Sequence, residues 1–125
     1  MVILVDWLWF AAITFGPFIF IRKKDYHIVL LNHEYIHLYQ QKELFFAGAY
    51  VVYVVEYFCK LLYYRSFKKA YYNVSFEREA FLCQNVVGYC ANRKPFTSFK
   101  FIYVKNPVFL NDKIETKEIP LPSYP

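Results

Sequence analysis

Two histidines flanking a glutamate carry the first chemical signal in this chain. His33 and His37, in His33-Glu34-Tyr35-Ile36-His37, stand four residues apart, so on a helix their imidazoles lie one above the other and can bind one metal ion. Glu34 is rotated from His33 by about a third of a turn, which sets its carboxylate beside the metal rather than on it. From there it can take a proton from a metal-bound water. Zinc lowers the pKa of such a water toward about 7, and a carboxylate base completes the making of a hydroxide nucleophile. All three histidines lie within residues 27–37. The bland alternative is a pair of histidines on a solvated helix face beside a capping glutamate.

A tetrahedral catalytic zinc takes a third protein ligand and leaves its fourth place to water. No histidine follows His37, so the third ligand must be a carboxylate or a thiolate. Glu43, Glu56, Glu77 and Glu79 are the candidate carboxylates. Glu43 shares the histidine helix but lies on another of its faces. Glu56 follows an apolar run and reads equally as a satisfied buried acid. The strongest segment is Ser75-Phe76-Glu77-Arg78-Glu79-Ala80-Phe81, although acids in the first turn of a helix also suit its dipole without any metal.

The pairing of His33-Glu34-x-x-His37 with Glu77-x-x-Ala80 some forty residues later resembles the gluzincin pattern of zinc endopeptidases. The resemblance implies Glu77 rather than Glu79 as the third ligand, and Ala80 as the small residue that lets the two helices approach. Phe81 stands where that family carries Asp, so a hydrogen bond that normally orients a ligand histidine must be absent or come from elsewhere. Residues 17–100 are also similar to short bacterial proteins with His-Glu-x-Ile-His-x-x-Gln-Gln and Phe-Glu-Arg-Glu-Ala, a likeness that brings no substrate with it. The gluzincin likeness further implies a strand along the rim of the cleft that pairs with an extended peptide, for which residues 18–22 are the candidate. Gln40-Gln41 and Arg78 are weaker candidates for polarising a carbonyl or stabilising an oxyanion.

The elements that must position these groups form a predominantly helical α+β domain, with a zincin-like active-site helix, a glutamate helix and a small N-terminal β element. Gly16-Pro17 interrupts the apolar N-terminal stretch and predicts two short strands, Ala12–Phe15 and Phe18–Arg22. Residues 26–46 read as a helix, with Val29, Ile36 and Leu44 recurring at about two helical turns and Gly48 interrupting it. Residues 49–66 read as a second helix, 67–74 as a polar connector, and 76–91 as a third helix capped by Asn73 or Ser75. A weak alternation marks 99–104 as a strand. The single domain is expected over 1–105, followed by an extended proline-bearing tail over 106–125.

Composition sets the wider frame. Of the 125 residues 58% are hydrophobic and 23% aromatic, with 13 Tyr and 14 Phe, more than a small globule can hide. A membrane surface or a second copy of the chain is therefore an expected neighbour. Neither apolar stretch reaches the roughly 20 residues a span needs, and Glu56 would sit within the second. The net charge of +5 comes from three separated basic clusters flanking apolar segments, which suit membrane edges better than a nucleic-acid footprint, and no nucleic-acid-binding motif is present. Cys59, Cys83 and Cys90 read as buried thiols of a reducing compartment rather than a disulfide framework. No cleavable signal sequence is expected, which points to a cytoplasmic or inner-membrane-associated protein.

The sequence thus predicts a Zn2+-dependent peptidase acting on a peptide or protein, with His33, His37 and Glu77 on the metal and Glu34 as base. The rival reading is a membrane-associated zinc-binding or interaction protein that performs no chemistry.

Overall fold

Gly16-Pro17 makes the first reversal of the chain, with Gly16 at φ +57°, a left-handed conformation that suits the first central position of a tight hairpin. A computed structural model describes residues 1–102 together with 110–111 and 113–114. The hairpin joins β2 (Ala12–Phe15) to β3 (Phe18–Arg22), antiparallel, with Ala12 opposite Ile21 and Thr14 opposite Ile19. β1 (Val2–Val5) runs parallel to β3, giving the order β1-β3-β2. Both edges of β3 are therefore taken. Residues 18–22 are the centre of the sheet, not a rim strand, and β1 and β2 are left at its two edges. Ile19 and Ile21 on β3 are fully buried and pack with Leu38 of the helix that follows.

That helix, α1, spans Ile28–Glu43. His27 caps it, its Nδ1 accepting the Leu30 N–H at 3.1 Å, which gives the third histidine a local structural role. The break after α1 lies at Phe45 and Phe46, with φ of 55° and 60°, and not at Gly48, which is inside α2 (Ala47–Tyr64). The Phe46 N–H returns to the Gln41 carbonyl at 2.7 Å and closes this corner, and the axes of α1 and α2 bend by 109°. No single helix among the described residues is long and apolar enough to cross a membrane; the bent pair passes that test only when taken together.

Residues 67–73 form a helix, α3 (Phe67–Asn73), where a connector was expected; the Ser66 hydroxyl caps it by accepting the Lys69 N–H at 3.3 Å. α4 (Ser75–Cys83) follows after the single extended residue Val74. The third helix expected over 76–91 is divided. The chain leaves α4 at Cys83, turns through Gly88 at φ +72°, and resumes as α5 (Tyr89–Asn92). Thr97–Phe101 is a 3-10 helix where a strand was expected over 99–104; residues 103 and 104 lie outside the described residues. The tail expected over 106–125 also lies outside them, apart from the short pairing of β4 (Leu110–Asn111) with β5 (Lys113–Ile114).

The helical α+β architecture is the one the sequence predicts. Two of its contacts position α4. Ala80, fully buried, packs with Ile36 of α1, so the smallest apolar side chain lies where the two helices meet. The N-terminus of α4 is held by Glu56 of α2, whose Oε1 accepts the Ser75 N–H at 2.7 Å and whose Oε2 accepts the Ser75 hydroxyl at 2.6 Å. Glu56 is thus a buried acid satisfied at a helix start, two residues before Glu77.

Candidate metal centre

α1 presents His33 and His37 on one face, and α4 brings Glu77 against them. The two Nε2 atoms are 3.1 Å apart, and Glu77 Oε2 lies 3.4 Å from His33 Nε2 and 3.3 Å from His37 Nε2. A metal bound at roughly 2.0–2.1 Å to two tetrahedral nitrogens sets them roughly 3.3 Å apart, close to the separation found here. These three side chains form a group able to hold a metal ion, with donor atoms all within 4.8 Å of one another. Glu77 Oε2 is buried, and among the described residues its nearest polar neighbours are these two imidazole nitrogens. A cation between the two nitrogens would take the place of the proton that faces this oxygen.

The opposite side of each imidazole is also fixed. His33 Nδ1 lies 3.0 Å from Gln84 Oε1, and His37 Nδ1 lies 2.8 Å from Gln40 Oε1. The orientation of the Gln40 amide follows from its other end, where Nε2 donates to the Phe76 carbonyl and to Glu79 Oε2, both at 3.1 Å. An amide oxygen facing Nδ1 calls for a proton there, which leaves the Nε2 lone pair for a metal. Phe81, in place of an acid, packs edge-on against the His33 ring with centroids 4.6 Å apart. The partners of the two Nδ1 atoms are therefore amides, Gln84 and Gln40, and not an acid.

Charge binds the cluster together without an ion. Burial disfavours the charged form of His37, but the Glu77 carboxylate beside it, aided by Glu34 and Gln40, outweighs this and pushes its pKa up to about 10. Burial likewise opposes ionisation of Glu77, yet the His37 and His33 rings hold its carboxyl well below the usual range. Tyr53 donates to Glu77 Oε1 at 3.2 Å. Burial, and then the Glu77 charge, push the hydroxyls of Tyr53 and Tyr71 upward, so both phenols stay protonated.

His37 and Glu77 open onto a cavity of about 550 Å³, walled by β2 on one side and by Tyr50, Tyr53, Tyr71 and Phe76 on the other. Glu34 lines the same cavity. It is buried, and its Oε2 accepts a hydrogen bond from the Thr14 hydroxyl at 2.8 Å.

Several candidates of the sequence lie elsewhere. Glu79 points away from the histidines into an ion network, where Arg93 lies between it and Glu43 and Ser98 adds its hydroxyl. Arg78 is buried on another side of α4, spending its guanidinium on Asn73 Oδ1 and the Phe101 carbonyl, so it offers nothing to an oxyanion. Gln41 is a brace: its Nε2 donates to the Thr14 carbonyl at 2.9 Å and its Oε1 accepts from Tyr50 at 3.1 Å. Thr14, Gln84, Tyr53 and Tyr71 are site residues that sequence reasoning missed. The first two come from segments remote from the motif, and nothing in the sequence separates the tyrosines from eleven others.

No family model matches this chain, and neither a curated protein nor a solved structure matches it.

Proposed function

We propose that this chain is a zinc-dependent peptidase of the gluzincin kind, hydrolysing peptide bonds in a peptide or protein. The observation that carries the reading is the convergence of the buried Glu77 Oε2 with the His33 and His37 Nε2 atoms, beside a cavity that His37, Glu77 and Glu34 line. Two imidazoles and one carboxylate are a zinc donor set that leaves a fourth place open. The same set also holds iron(II) in oxygenases. The carboxylate of Glu34 in the same cavity favours hydrolysis, which needs a base.

His33, His37 and Glu77 would hold the zinc, which would supply a polarised water and an electrophile for the peptide carbonyl. Glu34 takes the proton of the attacking water and passes it to the leaving amine, with Thr14 holding its Oε2 in place. The Tyr71 phenol, which lines the cavity, is the donor we assign to the developing oxyanion. The substrate backbone adds to the edge of β2. The ladder alternation, set by the Arg22 N–H donating to the Ala11 carbonyl at 2.8 Å, turns the main-chain groups of Ala12 and Thr14 away from β3. Gln41 already takes the Thr14 carbonyl, so the strand addition centres on Ala12.

The test is metal analysis and cleavage of casein by the purified full chain. About one zinc per chain is expected, lost in His33→Ala. Glu34→Gln should keep the zinc and lose cleavage by about 10²–10⁴-fold. Cleavage that survives Glu34→Gln, or iron in place of zinc, overturns the proposal.

A further inference from the structure

The inward side of α2 carries Ala49, Tyr53 and the buried Glu56. Its opposite side is a second feature of the molecule, unrelated to the metal centre. Ala47, Val51, Val54, Val55, Phe58 and Leu62 recur there at helical spacing, and all are exposed. Val51 is 64% exposed, Phe58 58% and Leu62 78%. Single exposed apolar residues are ordinary, but a continuous stripe along an 18-residue helix is not.

The charges of α2 are placed so that none falls on this stripe. Glu56, its one acid, is turned inward onto Ser75, and Lys60, its one base, donates to the Ile102 carbonyl at 2.7 Å. Immediately past the C-terminus of the helix the pattern reverses, with Arg65, Lys68 and Lys69 all exposed and Tyr63 and Phe67 beside them, 80% and 73% exposed. An apolar face without acid, ending in cations and aromatic rings, complements an anionic lipid surface: the apolar side chains enter the boundary between headgroups and acyl chains, and the cations meet the lipid charge. A second copy of the chain would bring its own Arg65 and Lys68 to the contact and would leave these cations unmatched.

We propose that the outward face of α2 lies on an anionic bilayer surface, with Val51, Val55, Phe58 and Leu62 entering it and Arg65 and Lys68 anchoring its C-terminal end. The metal-bearing cavity, walled by the other side of α2, is left uncovered in this arrangement. The protein would lie on the membrane and not cross it. This inference does not depend on the peptidase reading.

The experiment is flotation of the full chain with phosphatidylcholine vesicles, with and without phosphatidylserine. Binding is expected to the phosphatidylserine vesicles, to weaken as salt is raised, and to be several-fold poorer on phosphatidylcholine alone. Phe58→Ser with Leu62→Ser should weaken binding by at least about tenfold. Arg65→Glu with Lys68→Glu should weaken it by roughly a hundredfold. Ile28→Ser, an exposed change on α1, should leave it unchanged. A polarity-sensitive fluorophore on the exposed Cys59 reports the same face without altering an anchoring residue, and its emission should shift to the blue on the anionic vesicles. Three results overturn the proposal: no vesicle binding, binding that the serine pair leaves intact, or a dimer in solution that the serine pair disperses while vesicles are ignored.

Discussion

The Nδ1 atom of His37 lies 2.8 Å from Gln40 Oε1, and the nitrogen of the same amide reaches Glu79, so one buried side chain joins the candidate metal centre to the ion network behind it. The acceptor for His37 Nδ1 thus comes from its own helix, three positions on. Replacing it exposes both ends of the link at once. Gln40→Leu leaves His37 Nδ1 without an acceptor and Glu79 short of a donor in a site only 1% exposed. We expect metal affinity to fall about 10–100-fold and folding stability to drop by ~1–3 kcal/mol. Competition against a chelator of known affinity measures the first. An unchanged metal affinity would show that Gln40 is structural alone.

The packing of Phe81 against His33 leads to a second expectation. His33 Nδ1 is served by Gln84 from the turn after α4, while Phe81 covers the ring. Gln84→Ala should weaken metal binding, again about 10–100-fold. Phe81→Asp added to Gln84→Ala should recover part of that loss by restoring an acceptor from α4. If the double variant binds metal no better than Gln84→Ala, the Phe81 position does not reach Nδ1 and the gluzincin comparison is weaker at that point.

The spacing of His33, Glu34 and His37 was legible because all three stand on one helix, whose turn fixes which side chains share a face; Glu77 stands on another helix, and its choice over Glu79 rested on a resemblance. The β2–β3 hairpin was legible for a similar reason: Gly16-Pro17 admits few conformations. Local polarity misled at α3, where Lys68 and Lys69 suggested a connector although Ser66 supplied a cap. Gly88 lay inside an otherwise helical run, and only the fold shows that α4 stops at Cys83 and that the chain turns through Gly88 into α5. Thr14 and Gln84 were beyond reach, because their roles arise from segments 20 and 51 residues away meeting at Glu34 and His33. Arg78 misled through its neighbours in sequence. One residue past Glu77 on a helix is rotated by about 100°, which carries its guanidinium to Asn73 and Phe101.

Glu56 offers a test of how the fold holds the site without touching it. Its carboxylate takes both the N–H and the hydroxyl of Ser75, at the first turn of the helix that delivers Glu77. Glu56→Ala leaves two buried donors unmatched and should cost ~2–4 kcal/mol in urea unfolding. Ser75→Ala removes only the hydroxyl bond and should cost less. Equal costs for the two variants would mean that the cap contributes nothing through the backbone N–H.

The protonation of the cluster predicts opposite pH trends for the metal-free and metal-bound protein. His37 is pushed up to about 10 from an ordinary value of 6.5, so its contribution to the metal-free fold is complete below 6.5 and lost as pH rises toward 10. The Glu77 carboxyl is held below its ordinary value of 4.5, so its contribution is present above that value and lost as pH falls below it. The metal-free protein should be most stable between these limits. A metal must displace the His37 proton, so its binding strengthens with rising pH over the same window in which the metal-free fold weakens. Melting midpoints with zinc and with EDTA should therefore diverge between pH 6.5 and 10. A constant difference would show that no proton leaves His37 on binding.

Thr14 separates the chemistry of the site from its metal. Its hydroxyl lies 2.8 Å from Glu34 Oε2 and 3.0 Å from the Glu34 carbonyl, so the edge strand of the sheet reaches over and fixes the proposed base. Thr14→Val keeps the shape of the side chain and suits a strand, but removes the hydroxyl hydrogen given to that carboxylate. None of the three atoms that converge for the metal touches Thr14, so zinc content should be unchanged. The loose carboxylate should then cost cleavage roughly tenfold to a hundredfold, with the loss in kcat rather than KM because the strand edge at Ala12 is intact. A variant that loses zinc together with activity would place Thr14 among the supports of the metal cluster. A variant with full activity would mean that Glu34 is held, or the proton is carried, by another group in the cavity.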